Sequence, residues 1–255
     1  MTSLRKAPSS SDAAKGQPAQ SRGASQRKGL PPPLRFFRDH AVSSAMLLLF
    51  ALSLIGQSIT GYREQVPSAH ATRASYWQYL VSSDFLETVA ENWEGEFLPL
   101  TAYVFFTSLL HERGAKESRN PDERGDEKTD RVPSPAEARR KGLSWPLRVG
   151  GPIRWIYLHS ILMAFLSIFL LAVAVHAVAG LSEYNAGLVS QHQHPVSVLG
   201  YMTSNTFWLQ STRNWEAGFF STAMLAVFSI FLRQKGSPVS KSAEQSNKDT
   251  AEEGS

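Results

Sequence analysis

The sequence contains no cysteine. Disulfides, thiolate metal sites and thiol nucleophiles are therefore excluded. It also lacks a G-x-x-x-x-G-K-[ST] phosphate loop, a G-x-G-x-x-G fingerprint, an H-E-x-x-H helix and a G-x-S-x-G elbow. No strong catalytic or cofactor signal remains, so no catalytic residue and no cofactor is expected. Lysine and arginine are scarce in two stretches. Residues 61–96 hold only Arg63 and Arg73, and residues 183–216 hold only Arg213. The net charge of +4 forms no aromatic-interleaved basic patch, so nucleic acid is not an expected partner.

Long uncharged runs are what the chain does have. They cover residues 41–60, 97–110, 155–182 and 217–232. A helix rises about 1.5 Å per residue, so about 20 apolar residues span the hydrocarbon core of a bilayer. The two shorter runs are each preceded by an amphipathic stretch that extends the helix. This predicts an all-α membrane protein with transmembrane helices over about 41–60, 86–111, 155–181 and 208–232. A cleaved signal peptide fits the first run less well, because its basic arm and apolar core are long and no A-x-A site follows. The lipid bilayer is the expected partner, a homo-oligomer is open, and protein partners are not specified by the sequence.

Basic residues set the expected orientation. Residues 1–38 carry 8 Lys and Arg, residues 113–154 carry 11, and the tail from Arg233 carries 4, against 3 in the two intervening loops. By the positive-inside rule both termini and the central linker lie in the cytoplasm. This predicts a multi-pass protein of a bacterial cytoplasmic (inner) membrane. Residues 1–34, rich in Ser, Ala, Lys, Arg and Pro, read as a disordered arm. Residues 115–153 read as a flexible linker, and residues 237–255 as a disordered polar tail.

Residues 35–114 and 154–236 align as two tandem copies of one two-helix unit. At an offset of 119, Arg35-Phe36 matches Arg154-Trp155, His40 matches His159, Gly61 matches Gly180, and Glu64 matches Glu183. At an offset of 122, Tyr79 matches Tyr201, Phe85 matches Phe207, and Asn92-Trp93-Glu94 matches Asn214-Trp215-Glu216. Two copies entering the membrane in one direction predict a pseudo-twofold axis along the membrane normal. Small residues at Ser53, Gly56 and Thr60, and at Ala172, Ala177 and Gly180, suit close helix approach.

The chain resembles an uncharacterised bacterial membrane family, domain of unknown function 6766. The residues that carry the likeness are Arg35-Phe36-Phe37-Arg38-Asp39, Gly56-Gln57-Ser58-Ile59-Thr60-Gly61, Tyr79-Leu80, and Phe85-Leu86 leading into Glu91-Asn92-Trp93-Glu94, with Asn214-Trp215-Glu216 in the second copy. The resemblance covers roughly residues 35–238. It implies a topology and supplies no mechanism.

Several residues invite a functional reading. Glu87, Glu91 and Glu94 form one helical stripe, whose counterparts are Leu209, Arg213 and Glu216. An outward-facing polar pocket of Glu94, Glu216, Asn92, Asn214, Glu91 and Arg213 follows, with Glu94 and Glu216 facing each other. The competing reading makes Trp93 and Trp215 headgroup-level anchors, with Asn and Glu as helix-end residues. Gln57 and His176 are an intramembrane polar pair by position, suited to interhelical hydrogen bonds. His40 and His159 suit interface anchoring. His192-x-His194 offers two imidazoles without a third ligand, so no metal is expected there. The reading carried forward is a structural or accessory envelope protein acting through partners. A small transporter or channel for a cation or proton-coupled solute, using the polar pocket, is the alternative. A membrane-embedded enzyme is the third.

Overall fold

The computed structural model describes residues 36–37, 39–68, 75–110, 131–241 and 244. All regular structure among them is α-helical: α1 (Ala41–Ser68), α2 (Tyr76–Leu80), α3 (Ser83–Leu109), α4 (Pro135–Arg140), α5 (Trp145–Val149), α6 (Gly151–Leu158), α7 (Ser160–Ser190), α8 (Val198–Met202) and α9 (Asn205–Phe231). The chain divides into two units, Met1–Gly56 and Gln57–Ser255. Within the first unit, residues 41–56 form the leading part of α1, and apolar side chains such as Val42, Met46 and Leu47 are exposed along it. The second unit holds the remainder of α1 and all later helices.

Two helices are long and apolar enough to cross a membrane, Ala41–Glu64 and Ser160–Ser190. The helices α3 and α9 have 27 residues each, about 40 Å at 1.5 Å per residue. Their first halves carry the polar residues, with Asp84, Glu87, Glu91, Glu94 and Glu96 in α3 and Gln210, Arg213, Asn214 and Glu216 in α9.

Serine caps explain where the helices begin. Ser75 heads α2 in a capping box: its Oγ accepts from the Gln78 N–H at 3.3 Å, while its own N–H donates to Gln78 Oε1 at 2.7 Å. Ser82 caps α3 through the Phe85 N–H at 3.3 Å. Serine N-caps recur later without the box, where Ser197 accepts from Gly200 and Ser204 accepts from Phe207, both at 3.2 Å. The bounds of α8 and α9 are those of α2 and α3 plus 122, the offset of the sequence alignment.

Within the second unit α3 is central, packing against both α7 and α9. Small residues allow the approach. A Cβ on Gly95 would lie 2.9 Å from the Asn214 carbonyl oxygen, and one on Gly218 would strike the Gly95 carbonyl. Pro99 is fully buried inside α3, and its ring lies against Gly218. Against α7, the small residues Ala172, Ala177, Ala179 and Gly180 are buried. Helices that meet through glycine and alanine bring their backbones, and the polar groups beside them, unusually close.

The helix limits differ from expectation in an instructive way. The first helix runs on to Ser68, and α3 begins at the Ser82 cap rather than near residue 86. The third run is interrupted at His159, where the imidazole turns back on the chain. Its Nδ1 lies 2.8 Å from the Trp155 carbonyl, and its ring stacks on Trp155. The central segment read as a flexible linker contains short helices, α4 and α5 and the start of α6. Ser134 caps α4, Pro135 occupies the first helical turn, Lys141 pairs with Glu137 at 2.8 Å, and Ala138 is fully buried. Charge and proline content suggested flexibility there, yet the same residues are capping and pairing groups. The start of the tail also folds: Ser240 Oγ accepts from the Gln234 N–H at 2.9 Å and donates to the Gln234 carbonyl at 3.0 Å. The arm over 1–34, the linker part over 115–130 and most of the tail lie outside the described residues.

Candidate functional site

Glutamates at positions 87, 91 and 94 are four and three residues apart, so a helix places them on one face. In α3 that face turns inward. Glu94 is completely buried and Glu87 is 6% exposed, while Glu91 is half-buried. A buried carboxylate is costly unless its oxygens are bonded. Here they are. Glu94 Oε2 lies 2.8 Å from His176 Nδ1 on α7, and Glu94 Oε1 accepts from Trp215 Nε1 on α9 at 2.9 Å. One residue thus joins three helices.

His176 is itself fully buried. Its second nitrogen, Nε2, lies 3.4 Å from Glu91 Oε1 and 3.4 Å from the Tyr201 hydroxyl. Phe207 stacks on the imidazole at 4.6 Å between centroids, with 21° between the planes, and holds the ring edge toward the acids. An ionised carboxylate only accepts, so the Glu94 contact requires a proton on Nδ1. Nε2 is then free either to carry a second proton toward Glu91 or to present a lone pair.

Tyr201, from the short helix α8, closes the other side. It is 1% exposed, and its hydroxyl donates to Gln210 Oε1 at 2.9 Å. Gln210 Nε2 in turn donates to Glu87 Oε1 at 3.2 Å, and the tyrosine hydroxyl lies 3.4 Å from the same oxygen. Burial first, then the negative field of Glu87 and Glu91, raises the Tyr201 phenol above its ordinary range, so it remains a neutral donor. Gly180 makes room for this arrangement: a Cβ there would come within 2.5 Å of both Glu87 Oε1 and Tyr201 Oη.

The expected pocket is therefore divided. Glu91 and Glu94 gather in the cluster and half-buried Asn214 packs against Gly95, whereas Asn92, Arg213 and Glu216 are exposed. Glu94 and Glu216 do not face one another as expected. Glu94 turns instead to His176, because α7 lies against the acidic face of α3. The Trp215 indole N–H serves Glu94, while Trp93 is 36% exposed and contacts Phe97. His176 makes the interhelical bond expected of it, but Gln57 lies elsewhere. Gln57 lines a separate cavity of about 470 Å³ with Thr60, Gly61, Glu64, Tyr79, Asp84 and Thr88. His192 and His194 are exposed. The members not foreseen as a site are Glu87, Tyr201 and Gln210. The glutamate stripe and the Tyr79–Tyr201 match were the available signals.

The chain matches the family described as "Domain of unknown function (DUF6766)" over residues 33–252, and it belongs to that family. No curated protein and no solved structure matches it.

Proposed function

From family membership that carries no activity, and a buried polar network that has a chemistry of its own, we propose that this chain is a multi-pass membrane transporter or channel for a cation or a proton-coupled solute. Its four long helices α1, α3, α7 and α9 cross a bacterial cytoplasmic membrane as two tandem copies of a two-helix unit, with both termini and the central segment in the cytoplasm. The balance of basic residues supports the orientation, and the recurrence of caps and helix bounds at one offset supports the duplication.

The observation that carries the function is Glu94, fully buried and bonded at once to His176 and Trp215. An ionisable pair inside a membrane bundle is costly and marks proton and ion paths. A structural or accessory protein needs only helix packing, which the glycines and alanines already supply. The carboxylate–imidazole pair can pass a proton between Glu94 and Glu91 across the two ring nitrogens, because each nitrogen faces one acid.

The test is flux into proteoliposomes reconstituted with the full chain, followed with a pH-sensitive dye and with monovalent and divalent cation gradients. Flux by the natural protein that falls at least tenfold in His176→Gln supports the reading. Equal flux in empty and protein-containing vesicles, for every ion tried, returns the protein to the accessory class.

A further inference from the structure

Glu87, Glu91 and His176 each direct one ligand atom into a common space, and these three atoms lie within 4.8 Å of one another. Two atoms bound to one ion at about 2.1 Å lie no more than about 4.2 Å apart, so small carboxylate rotations close the set. A second observation points the same way. Glu87 Oε2 is buried and has no hydrogen-bond partner among the described residues, whereas Glu87 Oε1 accepts from Gln210 and both Glu94 oxygens are bonded. A buried acceptor left unserved beside bonded ones is an unfilled bonding capacity.

The third observation is the other side of the imidazole. Metal-binding histidines usually donate their second N–H to a carboxylate, which fixes the tautomer and strengthens the ligand. His176 has that arrangement, with Nδ1 held by Glu94 at 2.8 Å and Nε2 turned toward Glu91. Among the described residues no lysine or arginine forms an ion pair with Glu87, Glu91 or Glu94. Apart from His176, the acids therefore face no cationic partner among the described residues.

We propose that Glu87, Glu91 and His176 bind a divalent first-row transition ion, with Glu94 positioning the imidazole. One nitrogen and two carboxylate donors suit zinc, manganese or iron better than calcium or magnesium, which prefer oxygen alone. Three protein ligands leave coordination positions for water or a transported solute. This deepens the transport reading and rests on it for its physiological meaning, but binding is measured separately from flux.

The experiment uses the full chain in detergent, stripped with chelator and titrated with cobalt(II), whose visible absorption reports direct ligation. About one equivalent should bind per chain, and zinc(II) should displace it. His176→Gln and Glu87→Gln should abolish the saturable absorption. Glu94→Gln, which keeps all three ligands, should weaken binding about 10- to 100-fold. Glu216→Gln should bind as the natural protein does. The natural chain alone decides the matter if a ligand variant fails to fold: no saturable cobalt spectrum overturns the site. Binding undiminished in a folded His176→Gln overturns it as well. Proton flux from a protein that binds no cobalt removes the metal and leaves the transport reading. Cobalt binding without any ion flux does the reverse.

Discussion

The segments 75–110 and 197–232 have the same caps, the same helix lengths and the same tyrosine set against a glycine, yet their polar interiors differ. In the second, Tyr201 meets His176, Glu87 and Gln210 beside Gly180. In the first, Tyr79 packs its hydroxyl against Gly61, near Gln57, Glu64, Asp84 and Thr88 in an open cavity. A neutral glutamine stands where the other has a histidine, and Glu216 is exposed where Glu94 is buried. One backbone plan thus holds a buried charged network in one segment and an open polar recess in the other. Identity at a handful of positions decides which.

The sharpest way to break this comparison is to remove matching glutamates. Glu94→Ala leaves a buried histidine and a buried indole N–H without their acceptor. Breaking a buried pair costs about 3–5 kcal/mol. Glu216→Ala alters an exposed residue and should stay within about 0.5 kcal/mol. Unfolding of the detergent-solubilised variants, followed by intrinsic tryptophan fluorescence, measures both. Equal losses would mean that the two acids are equivalent after all.

The glycines come next. Gly180→Ala pushes a methyl group into Glu87 and Tyr201, both held in the buried network, and overpacking of that kind costs about 1–3 kcal/mol. Gly61→Ala meets only the Tyr79 ring and hydroxyl, which border an open cavity and can yield. Thermal midpoints should fall more for Gly180→Ala. A larger fall for Gly61→Ala would locate the tighter crossing in the first segment.

Much of this contrast was legible beforehand. Two long apolar runs marked α1 and α7, and the aligned Tyr79 and Tyr201 lie against the aligned Gly61 and Gly180, a contact that the alignment alone does not give. The acidic stripe on α3 was visible as spacing alone. What spacing does not give is which neighbour lies against a stripe. Pairing Glu94 with Glu216 followed from symmetry between copies, whereas burial of Glu94 follows from the small residues of α7, which bring His176 to it. The short helices within residues 131–153 were not read from the sequence because charge and proline there suggested flexibility, while Glu137 and Lys141 pair across one helical turn.

Hydroxyl deletions sharpen the comparison further. Tyr201→Phe removes the donor to Gln210 Oε1, a bond whose net worth is about 0.5–1.5 kcal/mol. Tyr79→Phe loses no hydrogen bond to another described residue, so its midpoint should move less. The cobalt or flux signal should also fall in Tyr201→Phe and not in Tyr79→Phe. A reversed order would assign the working hydroxyl to the first segment.

The smallest expected effect is on alkaline stability, and it is the same in sign for both tyrosines. Tyr201 is raised by burial and then by Glu87 and Glu91, and Tyr79 is raised by burial and then by Asp84 and Glu64. A phenol in the unfolded chain ionises near pH 10, so above that pH the unfolded state sheds a proton that the folded state retains. The stabilisation these groups give is complete below about pH 10 and is lost as pH rises toward their folded values. Thermal midpoints of the natural protein should therefore decline above that point. Tyr201→Phe and Tyr79→Phe should each decline less steeply, with the flatter curve for Tyr201→Phe because its raising field includes two cluster carboxylates. A steeper alkaline decline in Tyr201→Phe than in the natural protein would mean that its hydroxyl is not buried beside those acids.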